Sequence, residues 1–456
     1  MSKTLSLKNA RGRDMRTDVP ILDKLLGMYC WVTKESGISG GLKEVPEDFI
    51  VEEILPDGTV LSIERPILKP SGYEGLFTHF ILVKRNIGNF EALWILAEKL
   101  NVPVGFFFYS GNKDREALTV QRMAVWGVPP EKLLEIAKLL RDIQIFSPIR
   151  ELRRVHIGEH LGNRFTIRIR RIKREEICRF ERIYDEILAK EYLPNYFGYQ
   201  RFGIIRPITH VVGKLLFLRK YEEAMRIYLG APSVIDDEKM KNIKEEILSG
   251  NYEYGLKELP NRGFLFEKML LKELMRGKTP KEAFKKLPAF LLRMLGEAYQ
   301  AYLFNKILSK IILHSDFSIN KGTRLVLIPG YQTRLGSDWI SDIIREVLTE
   351  EGISINHFKN KEFPPLSFKG TLRPAFLKPR FEYVFIPTFS EAEELSIVMR
   401  FKLNKGEYAT IILREFFKHN IYEALLSKSV LKRKATISDN FNKLVRIIQE
   451  GLTVSE

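Results

Sequence analysis

The stretch FFFYSGNKDREALTVQ, residues 106–121, joins a strongly apolar run to a polar turn and then to an alternating tail. The run and the tail both have the composition of β-strands, so the stretch predicts a strand, a turn and a returning strand. Asp114 lies in the turn, where Gly, Asn and Asp are common for backbone reasons alone. Its simplest interpretation is structural, as a residue that caps the turn.

The neighbouring segments continue this mixture of strand and helix patterns. EDFIVEEIL (47–55) and FTHFILVKR (77–85) alternate as strands do, and NFEALWILAEKLNV (89–102) has the period of an amphipathic helix. The apolar stripe predicted for this helix consists of Phe90, Leu93, Trp94, Ala97 and Leu100. The order strand, helix, strand, turn, strand therefore surrounds Asp114.

A later strand is predicted to carry a row of positive charge. In GNRFTIRIRRIKREE (162–176), apolar side chains alternate with Thr and Arg, so one face would be buried and the other would project guanidinium groups. The candidates for contacts with an RNA backbone are Arg164, Arg168, Arg170 and Arg171. The basic segment SKSVLKRK (427–434) is a further candidate. An ordinary solvated face is the alternative for each single residue.

The middle of the chain changes to a helical pattern from about Thr209 to Gly370. Strand patterns return after it in FEYVFIP, ELSIVMRFKL and YATIILREFFK. We therefore expect an α+β domain that is interrupted by a mainly helical insertion. A continuous chain of two domains would give the same pattern, because periodicity does not show which segments meet in space.

Charge and composition favour a polyanionic partner. The 456 residues include 73 Lys and Arg against 57 Asp and Glu, a formal net charge of +16. Nucleic acid is the first expectation and an anionic membrane the second. No run approaches the roughly 20 apolar residues of a spanning helix, and the N-terminus is polar, so we expect no membrane span and a cytoplasmic location. Cys30 and Cys178 lie far apart and the histidines lack metal-ligand spacing, so no disulfide and no metal are expected.

Two other stretches could complete a site around Asp114. GLKEVPEDFIVEEI (41–54) offers Lys43 and Phe49 on one strand, and LPNYFGYQRFG (193–203) combines Asn195 and Phe197 with further aromatic and amide side chains. Aromatic faces together with amides and Arg suit a base that has left its stack. The structural alternatives are a solvated Lys for the first stretch and a plug of the core for the second.

These motifs, together with GNKDREALTVQ, AYQAYLFN and GEYATIILREF, resemble in order and spacing the TruD family of tRNA pseudouridine synthases. The resemblance runs from about Ile38 to Phe417. It implies an α+β pseudouridine synthase catalytic domain with a mixed, largely antiparallel sheet and flanking helices. It also implies that residues 1–208 and 371–456 form this domain and that residues 209–370 form the helical TRUD insertion.

By the same resemblance, Asp114 in G-x-K-D is the catalytic aspartate, and the substrate-binding residues are Lys43, Phe49, Asn195 and Phe197. Family members isomerise a uridine of tRNA, commonly at position 13, without cofactor or metal. Lys43 would keep Asp114 ionised, and the two phenylalanines would stack on the uracil. A monomer is favoured, and the oligomeric state stays open.

Two other classes of function remain to be weighed. A noncatalytic RNA-binding protein would explain the charge and the aromatic residues, although Asp114 in its motif favours catalysis. A metal-dependent nuclease would also bind RNA, but it needs clustered carboxylates for magnesium. The Asp114 motif supplies one such carboxylate.

Overall fold

The computed structural model describes residues 15–64, 66–72, 75–261, 263–315, 325–385, 395–426 and 434–454, and they form an α+β fold. The described strands are β1 (Phe49–Ile54), β2 (Phe77–Arg85), β3 (Phe107–Tyr109), β4 (Leu118–Trp126), β5 (Ile143–Glu151), β6 (Gly162–Ile172), β7 (Leu193–Pro194), β8 (Leu325–Ile328), β9 (Thr371–Pro374), β10 (Phe376–Leu377), β11 (Arg380–Phe385) and β12 (Leu395–Asn404).

The described helices are α1 (Ile21–Leu25), α2 (Asn89–Leu100), α3 (Pro130–Ala137), α4 (Ile177–Lys190), α5 (Thr209–Phe217), α6 (Tyr221–Gly230), α7 (Glu238–Leu248), α8 (Tyr252–Glu258), α9 (Leu265–Met275), α10 (Pro280–Phe284), α11 (Ala289–His314), α12 (Trp339–Glu350), α13 (Ala409–Phe417), α14 (Ile421–Leu425) and α15 (Lys434–Thr453). The basic segment singled out near the C-terminus lies almost wholly in 427–433, outside the described residues.

The central sheet has eight strands in the order β11-β12-β6-β1-β4-β2-β5, with β3 paired to the free part of β4. The β1–β4 pair is parallel, and the other pairs in this sheet are antiparallel. The prediction of a mixed, largely antiparallel sheet is therefore confirmed. The parallel pair places the start of β1 beside the start of β4, with Ile50 opposite Leu118, and so brings the two sequence motifs together.

The alternation predicted for β6 is also confirmed. Phe165, Ile167 and Ile169 are at most 7% exposed and pack into the larger core with residues from α4 and α13. Helices α4 and α13 contact each other through stacked rings of Phe180 and Phe416, with centroids 4.6 Å apart. Burying such aromatic side chains supplies much of the driving force for this layer.

The stripe predicted for α2 is wrong at its two largest residues. The helix forms as expected, but its buried side chains include Ala92, Leu93 and Leu96, which join the second core. Phe90 and Trp94 are 69% and 56% exposed. The predicted stripe and the observed buried face both fit the helical period. Which face is buried depends on the neighbouring elements of the core that contact the helix.

The segment YATIILREFFK, which was expected to be a strand, is helix α13, so that prediction is wrong. Every residue of Ala409–Phe417 is buried. Because this helix is buried on all sides, even its polar residues Thr410, Arg414 and Glu415 lie in the interior and mark no solvent-exposed face. Its short apolar run at residues 411–413 then resembles a core strand. Its β-branched residues reinforced this error.

Residues 209–370 are mainly helical, as predicted, and the long helix α11 is their centre. Helix α5 packs so closely on α11 that a Cβ atom added at Gly213 would overlap the Leu295 carbonyl. The C-terminal helix α15 packs on α5, and Lys214 of α5 donates a hydrogen bond to the Leu452 carbonyl of α15. Helix α15 therefore contacts the helical segment even though it follows β12 in sequence.

Candidate active site

Asp114 lies in the loop between β3 and β4, where Lys43 approaches it from the segment before β1. Lys43 Nζ is 3.4 Å from Asp114 Oδ2. The Lys43 side chain is 8% exposed, whereas that of Asp114 is 28% exposed. The cation is therefore shielded while the carboxylate stays open to solvent. A low dielectric around the cation strengthens its effect on a nearby carboxylate.

The position of Lys43 is fixed from two sides. Its backbone has a positive φ of 54°, a conformation that non-glycine residues seldom adopt. Its ammonium group lies 4.2 Å from the centroid of the Phe49 ring. Phe49 is 1% exposed and contacts Phe165 of the core. In this structure Phe49 therefore supports Lys43 from beneath, and stacking of Phe49 on a base remains a prediction.

Lys84, near the end of β2, holds the Asp114 loop from inside the protein. Its Nζ donates hydrogen bonds to the carbonyl oxygens of Asp114 at 2.7 Å and Ile87 at 2.8 Å, and more weakly to that of Lys113 at 3.4 Å. The residue is fully buried. Burial lowers the pKa of Lys84 to about 8, and the Asp114 carboxylate partly opposes this effect.

Sequence reasoning did not select Lys84. The available signal was a lysine in the apolar strand FTHFILVKR, next to its exposed terminal Arg85. A buried lysine requires acceptors, and here they are backbone carbonyls of the loop that carries Asp114.

Further contacts secure the same loop. Lys113 Nζ lies 3.0 Å from Glu53 Oε2 and donates a hydrogen bond of 2.6 Å to Asn163 Oδ1. Asn89, the first residue of α2, accepts a hydrogen bond from the Lys113 amide and donates one to the Gly111 carbonyl, each at 3.4 Å. Strands β1 and β6 and helix α2 thus all contact this loop, which makes its backbone well supported.

Asn195 and Phe197 lie together in a second loop that Arg373 organises. Arg373 donates hydrogen bonds to Asn195 Oδ1 at 2.7 Å and to the Asn195 carbonyl at 3.2 Å. Its guanidinium group also lies 4.0 Å from the centroid of the Phe197 ring. Burial lowers the pKa of Arg373 to about 10, with Tyr408 and Glu407 opposing the change. Sequence reasoning missed Arg373, which follows the helical segment directly.

A cavity of about 570 Å³ opens beside Phe197. Its lining comes from both the Phe197 loop and the helical segment, and it includes Phe197, Arg201, Arg293, Gln300, Tyr331 and Lys369. Gln300 donates a hydrogen bond to the Pro329 carbonyl, and Arg201 lies 3.3 Å from Glu297. Aromatic, amide and cationic groups thus share one concave surface, which is typical of a binding site for a small polar group such as a base.

The ends of β6 and β12 connect the two loops. Asn163 of β6, which contacts Lys113, pairs with Leu403 of β12. Just beyond β12, the Gly406 carbonyl accepts a hydrogen bond of 2.7 Å from Arg373. The structure therefore brings Lys43 into direct contact with both Asp114 and Phe49, and it links these residues to Asn195 and Phe197 through neighbouring strands.

The four arginines proposed to grip RNA all have acidic partners within the protein. Arg164 contacts Glu52 at 2.6 Å, Arg170 contacts Asp48 at 2.8 Å, and Arg171 contacts Glu44. Arg168 lies 3.9 Å from Asp48, and its side chain is 45% exposed. Of the four, Arg168 keeps the most accessible charge, and the RNA-backbone role remains a prediction.

Comparison with known proteins identifies the family of the chain. The family model described as tRNA pseudouridine synthase D (TruD) matches residues 25–324 and 313–416, which is most of the chain. The chain belongs to the TruD family. This family consists of tRNA pseudouridine synthases, which are isomerases, so the TruD resemblance drawn from the motifs is confirmed.

Relatives from archaea support the TruD assignment over nearly their whole length. A protein of Methanococcus vannielii named "Probable tRNA pseudouridine synthase D" is 37% identical, with 86% of this chain and 98% of that protein covered. The protein of the same name from Archaeoglobus fulgidus is 31% identical, with 87% and 99% covered. The crystal structure of a TruD protein from Methanosarcina mazei matches with a TM-score of 0.69 and 28% identity, covering 89% of this chain and 99% of that one.

The described residues contain neither a metal-binding cluster nor a membrane-spanning helix. Within the ranges given above, no group of three or more His, Cys, Asp and Glu residues is arranged to hold a metal ion. In the same part of the chain, no helix is long and apolar enough to cross a membrane.

Proposed function

We propose that this TruD protein converts one uridine of tRNA, at position 13 by analogy with the family, to pseudouridine, with Asp114 as the catalytic carboxylate and without a cofactor. The observation that carries the proposal is the contact between the shielded Lys43 ammonium and the partly exposed Asp114 carboxylate. A carboxylate that is open on one side and paired with a cation on the other can meet a ribose while it remains ionised.

The reaction moves a uracil from one attachment to another. The C1′–N1 bond breaks, the uracil rotates, a C1′–C5 bond forms, and the proton lost from C5 is balanced by one gained at N1. Asp114 either attacks C1′ and is later displaced, or removes a ribose proton and later returns it. Both routes require the same ionised carboxylate next to the ribose, and the bonding pattern of Asp114 suits both.

Lys43 and Lys84 have different tasks in this proposal. Lys43 contacts the Asp114 side chain, so it stabilises the charge that reacts. Lys84 donates a hydrogen bond to the Asp114 carbonyl from the protein interior and so fixes the position of the loop backbone. Phe49 acts through Lys43, because its ring lies beneath the ammonium group.

The Phe197 loop is proposed to retain the free uracil. The Arg373 guanidinium group lies 4.0 Å and that of Arg201 5.6 Å from the centroid of the Phe197 ring, so a base would stack on the part of the ring that borders the cavity. Base stacking on an aromatic side chain typically contributes about 1–3 kcal/mol. The Asn195 side chain is 2% exposed and already bonds Arg373 and Pro374, so its proposed role is to position the loop.

We also propose that residues 1–208 and 371–456 form the catalytic domain and that residues 209–370 form the insertion. The helical content of 209–370 and the return of sheet strands after it support this division. The cavity beside Phe197, lined from both parts, supports a role for the insertion in holding the substrate.

Asp114→Asn tests the catalytic assignment. The amide is nearly the same size but neither attacks C1′ nor accepts a ribose proton at neutral pH. We expect a folded variant that binds tRNA with near-normal affinity and forms no pseudouridine in single-turnover assays with enzyme in excess.

Asp57→Asn is the matched control, because Asp57 also occupies an exposed turn, where it accepts a hydrogen bond from the Thr59 amide at 2.9 Å. It should convert tRNA at the normal rate. Near-normal conversion by Asp114→Asn would instead return Asp114 to the role of a turn residue. If the wild-type protein binds tRNA and makes no pseudouridine, the protein is a noncatalytic RNA-binding member of its family.

A further inference from the structure

Phe90 and Trp94 form an exposed aromatic pair at the beginning of α2. Their ring centroids are 6.2 Å apart in an edge-to-face arrangement, and the side chains are 69% and 56% exposed. Neither belongs to the core that the rest of the helix contacts. Large adjacent aromatic side chains left in solvent commonly mark an interaction surface.

The pair has a fixed position relative to Asp114. Asn89, which precedes Phe90, bonds the Gly111 carbonyl and the Lys113 amide on the Asp114 loop. Glu91, which follows it, lies 3.8 Å from Arg115 on the other side of Asp114. The first turn of α2 is therefore attached to the loop on both flanks of Asp114, and the aromatic pair extends into solvent from the first two turns of the helix.

We infer that Phe90 and Trp94 stack on an unpaired nucleotide next to the target uridine of the RNA substrate. This inference rests on the proposed action on tRNA. A uridine that turns out towards Asp114 leaves its neighbour without a stacking partner, and an aromatic ring can replace that partner whatever the neighbour's sequence. The Arg115 side chain, 61% exposed and 3.8 Å from Glu91 of the same helix, offers a cation to an adjoining phosphate.

A second copy of the chain fits this surface less well. Two aromatic side chains bury at most about 300–500 Å² together. A specific protein interface needs about 1,000 Å² or more. A single nucleotide, in contrast, matches the area of the pair, and the ionic neighbours Glu91 and Arg115 are polar rather than an apolar continuation of it.

The test compares the double variant Phe90→Ala/Trp94→Ala with Phe290→Ala, both in the Asp114→Asn background so that binding is measured without turnover. Phe290 is 64% exposed on α11 and is not among the residues that line the cavity, so it is a matched loss of an exposed ring. We expect tRNA affinity to fall roughly 10-fold in the double variant. The control should bind as its parent does.

Tryptophan fluorescence supplies a direct readout of stacking. Trp94 is one of four tryptophans, and we expect tRNA to quench a component of the emission that is missing in Trp94→Phe. Trp94→Phe should itself retain most of the affinity, because its ring still stacks. Equal affinity of the double variant and the control, or a loss that is matched by a change in oligomeric state, would overturn the inference.

The same experiment separates this inference from the proposed function. Affinity and quenching are measured in protein that does not turn over. A wild-type protein that makes no pseudouridine would remove the proposed function, while the loss of affinity on removing the pair would still support an RNA-stacking surface.

Discussion

At the scale of single residues, the candidate site contains one partly exposed carboxylate and two lysines that contact different parts of the same residue. Lys43 bonds the Asp114 side chain, and Lys84 bonds the Asp114 backbone. The hydrogen-bond acceptors of Lys84 are backbone carbonyl oxygens rather than carboxylates. Burial of its charged ammonium group therefore costs desolvation free energy. Burial under the loop explains both the hydrogen bonds of Lys84 to the loop carbonyls and its lowered pKa.

Lys84→Met should change how stability depends on pH. The pKa of Lys84 is about 8 in the folded protein and about 10.4 in an unfolded chain, so the unfolded state binds more protons between these values. The wild-type free energy of unfolding, relative to that of Lys84→Met, should therefore rise as the pH increases from about 8 to about 10.4. Urea unfolding of both proteins at pH 7 and pH 9.5 measures this difference.

The facing groups Asp114 and Lys113 are present in both proteins, so the difference between the two proteins reports the change made at Lys84. An equal stability difference at the two pH values would contradict the assignment of a lowered pKa to Lys84. The pseudouridine-forming activity of the wild-type protein should fall as the pH rises above about 8. Lys84 then loses its charge, and its hydrogen bonds to the carbonyl oxygens of the Asp114 loop become weaker.

At the scale of elements, β6 shows how one strand carries both core and charge. Its alternation places Ile167 in the core and Arg168 and Arg170 on the opposite face. Asp48, which is 1% exposed, lies against both arginines but bonds mainly Arg170. Arg170 is therefore the closer partner of Asp48, and Arg168 is the more accessible cation, although both occupy equivalent positions in the alternating sequence.

Arg168→Ala and Arg170→Ala should separate RNA binding from stability. Arg170→Ala leaves Asp48 buried with a weaker partner, and we expect a loss of about 1–3 kcal/mol in the free energy of unfolding. Arg168→Ala should leave stability within about 0.5 kcal/mol and reduce the salt dependence of tRNA binding by about one phosphate contact. Chemical unfolding and tRNA titrations at several salt concentrations measure the two effects. An unchanged salt slope in Arg168→Ala would exclude it from the RNA footprint.

The crossing of α5 and α11 depends on the missing side chain of Gly213. Gly213→Ala improves helix propensity, but the new methyl group would overlap the Leu295 carbonyl, which is backbone and moves only with its helix. We expect a net loss of about 1–3 kcal/mol, measured by urea unfolding.

Gly105→Ala is the control for this prediction, because a Cβ atom there meets nothing within 4 Å. It should be neutral or slightly stabilising. A stable Gly213→Ala protein would show that α5 and α11 can separate without cost.

At the scale of the whole molecule, ion pairs join segments that are distant in sequence. Arg414 of α13 bonds Asp23 of α1 at 2.5 Å, and both side chains are 1% exposed. Lys214 of α5 pairs with Glu351 just after α12 at 3.1 Å. Such pairs are weak evidence for net stability, but removal of one partner is costly, so they favour one arrangement of the segments.

The excess positive charge of the chain should appear in tRNA binding as a dependence on salt. The net charge is +16, and each phosphate contact should contribute about −0.7 to −0.9 to the slope of log affinity against log salt concentration. Titrations of wild-type protein with tRNA between low and physiological salt measure this slope. An affinity that is independent of salt would show that the excess charge lies away from the RNA.

Much of the fold could be predicted because burial repeats along the chain. Strands such as β2 and β6 appeared at the predicted places, and so did α2, since alternation and helical period are local signals. Helix α13 could not be distinguished from a strand, because in a fully buried segment the polar residues are not confined to a solvent-exposed face that would reveal the helical period. The apolar stripe predicted for α2 includes Phe90 and Trp94 for the related reason that the helical period does not fix which side of the helix packs.

The residues of the candidate site also divide into those that the sequence predicted and those that only the tertiary structure revealed. The sequence alone determined the charge and the α+β class, because these follow from composition and local periodicity. Its motifs in order carried the resemblance to the TruD family, and that resemblance implied the mixed sheet and the candidates Asp114 and Lys43. Only the tertiary structure decided that Lys84 lies under Asp114, that Arg373 covers Phe197, and that Asp48 bonds Arg170 more closely than Arg168. Partners of this kind come from distant segments, and their choice depends on how sheets and helices pack, which no local pattern encodes.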